Sequence, residues 1–504
     1  MAVETLRDVI RHSSDAYGSQ TAFRYKTGRK EIENKTYDEV NRDSMAVSRM
    51  LDAKGMIGKH IALLGTTSYP WIISYFGIVN SGSTAVPIDA QLPASAICEL
   101  LNRADVEMLI YDEIRADVIP EMKKLCPQIT CIVSMQAGEE SADHILSLTQ
   151  LLMEHEGSFE QELNPDQLCT ILFTSGTTGK SKGVMLSHRN LTDNAVCLDM
   201  KIPAGTVSMT LLPINHVYCL TMDIIKGIYI GMVICINDSI MHVQKNLKLF
   251  KPEIVLLVPM VIESIYAKLK DVSKLIPKKA AAHAAFGGNL RIICSGGAYL
   301  DPEYVDRFKE YGITILQGYG MTECSPVISN NLEWDNRKGS VGKLLPNCQA
   351  KVVDDEIWVK GSSVMMGYYK MPEETKEALE DGWLKTGDLG YVDEDNFVYI
   401  TGRKKNLIIL ANGENVSPEE LENQLSRNDL VKEILVRERD RVIEAEIFPD
   451  YEYAKKKRIK DIQGQLQRLI DEFNKDMPPY KRIHSLIVRE TEFDKTTAKK
   501  IKRF

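Results

Sequence analysis

Short apolar runs alternate with amphipathic segments over most of the chain. The spacing of apolar residues in Pro70–Asn80 and Ala94–Arg103 predicts helices, and runs of four or five apolar residues are typical of buried strands. The predicted strands are Ile61–Leu64, Thr84–Pro87, Met108–Tyr111, Thr130–Val133, Ile254–Val258, Arg291–Cys294 and Ile313–Leu316. This alternation predicts an α/β fold with doubly wound, mostly parallel sheets and helices on both faces.

The pattern changes near Gly402. Beyond that residue the chain is charged and helix-rich, and its predicted strands are short, namely Glu433–Val436 and Val442–Phe448. A chain of 504 residues is also too long for one hydrophobic core. The sequence therefore predicts a large N-terminal domain, residues 1–402, and a small α+β C-terminal domain, residues 403–504.

Composition narrows the class of protein. The net charge of −8 argues against bulk nucleic-acid binding. Ten cysteines without a Cys-x-x-Cys pair favour free thiols in a reducing compartment and predict no zinc site. The longest apolar runs, Trp71–Val79 and Ile254–Ile262, are shorter than the roughly 20 residues of a membrane-spanning helix. These features predict a cytoplasmic protein without a transmembrane segment.

Residues 174–183 carry the clearest candidate chemistry. They read Thr-Ser-Gly-Thr-Thr-Gly-Lys-Ser-Lys-Gly and lie between the apolar runs 168–173 and 184–186. Glycines let backbone N–H groups come close to an anion, and the hydroxyls and lysines add further donors. Such a loop is suited to a polyphosphate, so the sequence predicts a protein that handles a nucleotide.

The loop differs from the P-loop of ordinary NTPases. That motif has four residues between its first glycine and Gly-Lys-Ser/Thr, which would place a glycine where the chain has Thr174. A P-loop also opens a helix, whereas Val184-Met185-Leu186 predicts a strand. A plain surface loop rich in glycine and hydroxyl residues is the other alternative.

Two more segments come after predicted strands, where open α/β sheets bind ligands. Residues 295–298 read Ser-Gly-Gly-Ala and leave room for a flat ring, although a tight turn has the same composition. Residues 317–323 read Gln-Gly-Tyr-Gly-Met-Thr-Glu. In this segment Tyr319 can stack on a base, Thr322 can bond a phosphate and Glu323 can hold Mg²⁺.

Two segments further along the chain complete the set. Residues 381–390 place Asp388 between glycines, where a carboxylate can accept both hydroxyls of a ribose, with a hairpin turn as the alternative. Residues 495–501 contain Lys499 and Lys500, which composition alone describes as surface cations.

Together these segments resemble the adenylate-forming superfamily, which includes acyl-CoA synthetases, the adenylation domains of peptide synthetases and firefly-type luciferases. The phosphate loop, Gly-Tyr-Gly-Met-Thr-Glu at 318–323, Lys-Thr-Gly-Asp at 385–388 and Gly-Arg-Lys-Lys at 402–405 occur in the family's order. The resemblance covers almost the whole chain. The segments 188–190, 317–326 and 402–420 look most like bacterial medium- or long-chain fatty acid–CoA ligases.

The resemblance implies two half-reactions in one site. A carboxylate attacks the α-phosphate of ATP and gives an acyl-adenylate and pyrophosphate, and the thiol of coenzyme A then attacks the acyl carbon and releases AMP. ATP, Mg²⁺ and coenzyme A are the implied cofactor and substrates. The small domain is expected to swing about a hinge at Lys405 between the two steps.

The resemblance also implies residue roles. The implied ATP-binding residues are Thr174, Ser175, Gly176, Thr177, Thr178, Gly179, Lys182, Gly296, Gly297, Ala298, Gly318, Tyr319, Asp388 and Arg403. The segment 174–182 would hold the β- and γ-phosphates. Residues 296–298 and Tyr319 would enclose the adenine, and Asp388 and Arg403 would bind the ribose.

The remaining implied roles concern chemistry and the acyl group. The implied catalytic residues are Lys500, Thr322, Glu323 and His216, with Glu323 as the Mg²⁺ ligand. The implied acyl-pocket residues are His216, Tyr218, Gly320 and Met321, and Gly413 would lie near the coenzyme A tunnel. Lys500 would bridge the carboxylate and the α-phosphate.

The chain departs from the family pattern at three places. Ser181 stands where the family usually has proline, and Lys499 stands where it usually has glycine before the catalytic lysine. The spacing of residues 500–503, Lys-Ile-Lys-Arg, favours Lys500 over Lys499. The hairpin 351–358 is shorter than the matching family hairpin, which bears on partner docking and access of coenzyme A.

Three functions follow from these patterns. The leading one is an ATP-dependent acid–CoA ligase that acts on a fatty or similar apolar carboxylic acid. The second is an adenylation enzyme that loads an acyl or aminoacyl group onto the phosphopantetheine of an acyl carrier protein, although residues 216–219 offer no aspartate for a substrate ammonium. The third is a non-catalytic nucleotide-binding scaffold, which would not need the full set of site residues.

Overall fold

The computed structural model describes residues 3–28, 31–136, 145–174, 181–409, 415–439, 442–495 and 501–503. The chain divides into two compact units. Unit 1 comprises Met1–Ala350, Val359–Leu384 and Glu394–Val398, and unit 2 comprises Lys351–Trp358, Lys385–Asp393 and Tyr399–Phe504. The predicted domain division after residue 402 and the hinge at Lys405 stay predictions.

A first sheet of nine strands forms in unit 1 within the described residues. Its order is Lys343–Leu344, Val327–Asn330, Thr314–Gly320, Ile292–Ser295, Ile254–Leu257, Val207–Thr210, Val233–Ile236, Thr21–Lys26 and Ile32–Thr36. The strands from Thr314–Gly320 through Thr21–Lys26 pair in parallel. Antiparallel strands extend this parallel centre at both edges.

A second sheet, of eight strands within the described part of unit 1, has a similar plan. Its order is Gly367–Tyr368, Lys182–Ser187, Leu168–Thr174, Thr84–Ile88, His60–Leu64, Val106–Tyr111, Cys131–Ser134 and Leu146–Ser147. The pairs from Leu168–Thr174 onward are parallel, whereas Lys182–Ser187 is antiparallel to both of its neighbours.

Helices connect these strands. In unit 1 they are Leu6–Tyr17, Tyr37–Ala53, Tyr69–Asn80, Ala94–Arg103, Ile119–Leu125, Leu148–Glu154, His188–Val196, Lys226–Tyr229, Val243–Phe250, Pro259–Val272, Lys278–Phe286, Glu303–Lys309 and Pro372–Ala378. A π-helix, Cys219–Ile225, precedes Lys226–Tyr229. Central strands such as Thr84–Ile88 and Ile254–Leu257 are buried throughout, as parallel strands covered on both faces must be. The predicted doubly wound α/β class is confirmed.

Unit 2 has a smaller core. Strands Val431–Arg439, Val442–Pro449 and Ser485–Val488 form one sheet, and Ile408–Ile409 pairs with Asn415–Val416. The helices Pro418–Leu425, Tyr451–Lys457 and Ile462–Lys475 belong to the same unit. Among the described residues, a five-stranded sheet is formed by Cys348–Val353, Glu356–Gly361, Leu379–Glu380, Trp383–Val392 and Val398–Arg403.

The predicted elements agree with the structure at several places and differ at others. The helix Ala94–Arg103 has the predicted bounds. The strand expected to end at Leu316 instead continues to Gly320, because residues 318–320 pair with Val327–Asn330. The strand Val431–Arg439 is also longer than predicted, and its extension places Arg437 opposite Glu444, with the Nη2 atom of Arg437 2.9 Å from Glu446.

Within the described ranges, every helix is too short or too polar to cross a bilayer.

Candidate active site

An antiparallel hairpin holds both ends of the predicted phosphate loop. The strands Leu168–Thr174 and Lys182–Ser187 pair so that Thr174 lies opposite Lys182, and the Thr174 hydroxyl is 3.5 Å from the Lys182 carbonyl oxygen. Ser175, Gly176, Thr177, Thr178 and Gly179 lie outside the described residues. The two ends of the loop are therefore fixed at one strand spacing from each other.

Lys182 and Glu323 are linked through Tyr368. The Lys182 ammonium lies 4.7 Å from the centre of the Tyr368 ring, and the Tyr368 hydroxyl donates a hydrogen bond of 2.9 Å to Glu323 Oε1. Glu323 is buried. Tyr368 reaches this position because Gly367–Tyr368 pairs with the strand that begins at Lys182. Tyr368 lies in no recognised sequence motif, so it is not among the predicted site residues.

The backbone around Glu323 is fixed by Asn194, a residue that no sequence motif marks. Asn194 donates hydrogen bonds to the carbonyl oxygens of Cys324 (3.1 Å) and Val327 (2.8 Å), and it accepts one from Val327 N–H (3.1 Å). All these atoms are buried. The Met365 N–H donates to the Glu323 carbonyl oxygen at 2.9 Å. Thr322 and Glu323 therefore sit in a short 3₁₀ turn, Thr322–Cys324, whose main chain is anchored from several sides.

Two glycines near the end of strand Thr314–Gly320 allow the chain at residues 326–330 to come close to it. A Cβ atom on Gly320 would lie 2.0 Å from the Pro326 carbonyl oxygen, and one on Gly318 would lie 2.8 Å from Asn330 Oδ1. Tyr319, between them, is half-buried and pairs with Ser329. Met321 follows in extended conformation. The predicted nucleotide segment is thus a strand end with its side chains alternating across it.

Gly296 meets a predicted acyl-pocket residue. A Cβ atom on Gly296 would lie 3.1 Å from Cζ of Tyr218, so the Tyr218 ring rests on the end of strand Ile292–Ser295. Gly297 has a φ of +82°, and both Gly297 and Ala298 are exposed. The structure therefore brings Tyr218 and the predicted adenine segment together, and His216 is exposed nearby in sequence.

The π-helix Cys219–Ile225, directly after Tyr218, contains a buried acid, Asp223, that is not among the predicted site residues. Asp223 is 2% exposed, and burial raises its pKa from 3.8 to about 8. Its Oδ2 atom lies 4.0 Å from Cys219 Sγ. Three residues later, the Lys226 ammonium donates to the carbonyl oxygens of Ala195 (2.9 Å) and Leu198 (2.6 Å), and burial lowers its pKa to about 8.

Unit 2 holds the predicted ribose-binding pair. Arg403 Nε lies 2.5 Å from Asp388 Oδ1, with Asp388 almost fully buried and Arg403 partly exposed. The Asp388 N–H donates to the Thr386 hydroxyl at 3.1 Å, and that hydroxyl donates to the Ile357 carbonyl oxygen at 2.6 Å. Lys405 lies in the exposed 3₁₀ turn Lys404–Asn406.

The remaining predicted residues are Lys500 and Gly413, and both lie outside the described residues. The alternative of a hairpin turn at 381–390 holds for its first two residues. Asp381 and Gly382 have φ values of +51° and +78° and join Leu379–Glu380 to the next strand, whereas Asp388 lies within that strand.

The single carboxylate of Glu323 fits a Mg²⁺ ion that is bound together with the phosphates of a substrate. Within the described ranges, no three His, Cys, Asp or Glu side chains form a metal-binding group. Mg²⁺ is commonly held by one or two carboxylates and by phosphate oxygens of the substrate, so a single acid such as Glu323 satisfies that need.

Family models match both parts of the chain. The model described as AMP-binding enzyme matches residues 10–369, and the model described as AMP-binding enzyme C-terminal domain matches residues 405–503. Among curated proteins, the long-chain-fatty-acid–CoA ligase FadD15 of Mycobacterium bovis is 29% identical over 75% of this chain and 71% of its own length. A long-chain-fatty-acid–CoA ligase of Bacillus subtilis is 28% identical over 86% of this chain and 82% of its own.

Solved structures share the fold. The anthranilate CoA ligase AuaEII, in complex with anthranoyl-AMP, superposes with a TM-score of 0.86 at 23% identity, covering 99% of this chain and 96% of its own. ATP-bound MatB from Rhodopseudomonas palustris superposes with a TM-score of 0.85 at 24% identity, covering 100% and 98%.

Proposed function

The chain belongs to the AMP-binding enzyme family, and we propose that it is an ATP-dependent acid–CoA ligase for a fatty or similarly apolar carboxylic acid. The names of the curated relatives support this substrate class. The observation that carries the proposal is the Lys182–Tyr368–Glu323 arrangement, because a cation at the end of the glycine- and hydroxyl-rich segment and a buried acid contact the same tyrosine, and a polyphosphate with its metal ion would need both.

The proposed reaction has two steps. A carboxylate oxygen of the acid attacks the α-phosphorus of ATP, and the bond from that phosphorus to the bridging oxygen breaks as pyrophosphate leaves. The sulfur of coenzyme A then attacks the acyl carbonyl carbon, the bond from that carbon to the phosphate oxygen breaks as AMP leaves, and the thiol proton is released to water. The first step brings an anion to a polyanion, so positioned positive charge accelerates it.

Residues of unit 1 would hold the phosphates. Thr174 and Lys182 stand at the two ends of the loop, and Thr322 would bond the α-phosphate from its anchored turn. Glu323 would hold Mg²⁺, which, when bound, supplies charge neutralisation on the phosphate oxygens. Tyr368 would orient Glu323, because its hydroxyl occupies one carboxylate oxygen and leaves the other available.

The base, ribose and acyl group would be held by the other site residues. Residues 296–298 and Tyr319 would enclose the adenine, with Gly318 allowing the strand to approach. Asp388 would accept the ribose hydroxyls while Arg403 holds its carboxylate in place. The acyl pocket would include His216, Tyr218, Gly320 and Met321.

The three remaining roles concern unit 2. Lys500 would supply the positive charge between the carboxylate and the α-phosphate in the first step. Lys405 would act as the hinge, and Gly413 would leave space for the pantetheine arm in the second step. These assignments rest on motif position.

The proposal is tested by measuring pyrophosphate release with octanoate, palmitate, benzoate and phenylalanine, each with and without coenzyme A. We expect release with at least one fatty acid, together with acyl-CoA detected by mass spectrometry when coenzyme A is present. Release without any acyl-CoA would favour transfer to a carrier protein. No release with any acid, while ATP binding is retained, would favour a nucleotide-binding scaffold.

A further inference from the structure

The end of the chain is tied into unit 2 on both sides of residues 496–500. Before that segment, Lys495 forms ion pairs with Glu433 and with Glu492, and the Phe493 N–H donates to Glu433 Oε2 at 2.8 Å. Glu433 belongs to strand Val431–Arg439. The chain entering the segment is therefore fixed to an edge strand of the three-stranded sheet in unit 2.

After the segment, the chain returns to the same place. Ile501 pairs with Lys495 in an antiparallel bridge, and the Lys502 N–H donates to the Asp494 carbonyl oxygen at 2.8 Å. The Ile501 side chain packs on the buried residues Leu435, Phe448 and Phe493. A few main-chain hydrogen bonds and one apolar side chain make a modest attachment, comparable to a frayed strand end.

Arg503 adds a stronger attachment. Its guanidinium forms an ion pair with Glu422 and lies 3.5 Å from Glu419, and its Nη1 atom donates to the Val436 carbonyl oxygen at 3.4 Å. Glu422 is held in turn, because its Oε1 atom accepts a hydrogen bond of 2.6 Å from Val436 N–H. The Arg503 and Glu422 side chains are 20% and 11% exposed, so water screens this pair less than a surface ion pair.

We propose that Arg503 and Glu422 are positioning residues, which fix the C-terminal end of the segment that carries Lys500 and so determine where its ammonium acts in the first half-reaction. This inference rests on the proposed function. Lys500 precedes Ile501 directly, and Arg503 is three residues away, so a shift of the anchored end displaces the ammonium. Misplacing a reacting group by about 1 Å can lower a rate by about 100-fold.

The Arg503–Glu422 ion pair differs in its position from the ion pairs that Arg437 forms between two strands of unit 2. Arg437 forms ion pairs with Glu444 and Glu446 on the neighbouring strand, and its side chain is 43% exposed. It has the same chemistry in the same unit but is not attached to the chain end. Arg437→Met is therefore the matched control for Arg503→Met.

The kinetic experiment uses the full-length variants Arg503→Met, Arg503→Lys, Glu422→Gln and Arg437→Met. We expect Arg503→Met to lower kcat for pyrophosphate release by about 100-fold, with KM for ATP within about twofold of the wild type and unchanged thioester formation from supplied acyl-adenylate. Arg503→Lys should recover part of the lost rate, and Glu422→Gln should show a smaller loss than Arg503→Met. Arg437→Met should behave as the wild type.

Hydrogen exchange provides a readout that does not depend on activity. Peptides covering residues 501–503 should exchange faster in Arg503→Met and at the wild-type rate in Arg437→Met. Equal loss of both half-reactions, or unchanged exchange at 501–503 in Arg503→Met, would overturn the positioning role. If the wild type released no pyrophosphate, the proposed function would fail. The exchange of residues 501–503 in Arg503→Met would still test the attachment separately, because it does not depend on activity.

Discussion

The two units hold their candidate acids with different partners. In unit 1, the buried Glu323 accepts a hydrogen bond from the phenol of Tyr368, which brings no positive charge. In unit 2, Asp388 and Glu422 each face an arginine. A carboxylate beside a neutral donor keeps its attraction for a cation, whereas one beside a guanidinium is already neutralised and serves mainly to fix geometry. Under the proposed function, Glu323 of unit 1 would therefore be the acid suited to a metal ion, whereas Asp388 and Glu422 of unit 2 would be oriented by their arginines.

The largest loss of adenylate formation should come from replacing Lys500, which belongs to unit 2. Lys500→Ala should lower adenylate formation by about 1,000-fold, since a positioned charge in the transition state is lost. Thioester formation from supplied acyl-adenylate should be retained. Both rates are measured on the same preparation, and Lys499→Ala is the control. A loss in Lys499→Ala alone would reassign the role to Lys499.

Replacing Glu323 of unit 1 and Asp388 of unit 2 tests the comparison of the two units directly. Glu323→Gln and Asp388→Asn should each lower adenylate formation by about 100-fold, for different reasons. Titration with Mg²⁺ should show a raised metal requirement for Glu323→Gln only, and Asp388→Asn should raise KM for ATP at saturating Mg²⁺. The same Mg²⁺ dependence in both variants would remove the distinction between the units.

Removing one hydroxyl should have a smaller effect. Tyr368→Phe takes away the hydrogen bond to Glu323 but keeps the ring under Lys182, so we expect a loss of about tenfold in Mg²⁺ affinity, as for other residues that orient a metal ligand. Tyr369→Phe is the matched control, because the Tyr369 hydroxyl donates instead to Asp105 at 2.6 Å. Wild-type Mg²⁺ affinity in Tyr368→Phe would contradict an orienting role.

Asp223 sharpens the comparison because burial alone, and neither a hydrogen bond from a phenol nor an ion pair with a guanidinium, is the cause of its pKa shift. Its pKa is raised from 3.8 to about 8, so the folded protein keeps a proton that the unfolded chain releases, and stability falls as pH rises through that window. The slope is at most about 1.4 kcal/mol per pH unit. Asp223→Asn should flatten this fall in urea unfolding measured from pH 5 to pH 8.

The exposed Asp15 offers a control for that experiment. Asp15→Asn should leave the pH dependence of the free energy of unfolding as in the wild type. A wild-type slope in Asp223→Asn would show that another group causes the pH dependence.

Local patterns predicted much of the fold. The buried run at Thr84–Ile88 and the helical spacing in Ala94–Arg103 need only neighbouring residues to be recognised, and both elements are present. Motif order placed Glu323 and Asp388 among the candidates. By contrast, Tyr368 reaches Glu323 across 45 positions, and Arg503 reaches Glu422 across 81. Such partners are set by strand register and chain return, which short-range spacing does not encode.

Asp223 was missed for a different reason. The candidate segment 216–219 ends four residues before Asp223, and the π-helix Cys219–Ile225 brings the Asp223 Oδ2 atom to 4.0 Å from Cys219 Sγ. A π-turn is a rare conformation with no reliable sequence signal.

The register pair Thr174–Lys182 bears on how such an enzyme diversifies. A hairpin whose feet are locked in a sheet tolerates exchange of its tip, since a substitution there leaves the ladder below unchanged. Substitutions of Ser181, which directly precedes the foot at Lys182, should therefore leave the strand pairing below the loop intact.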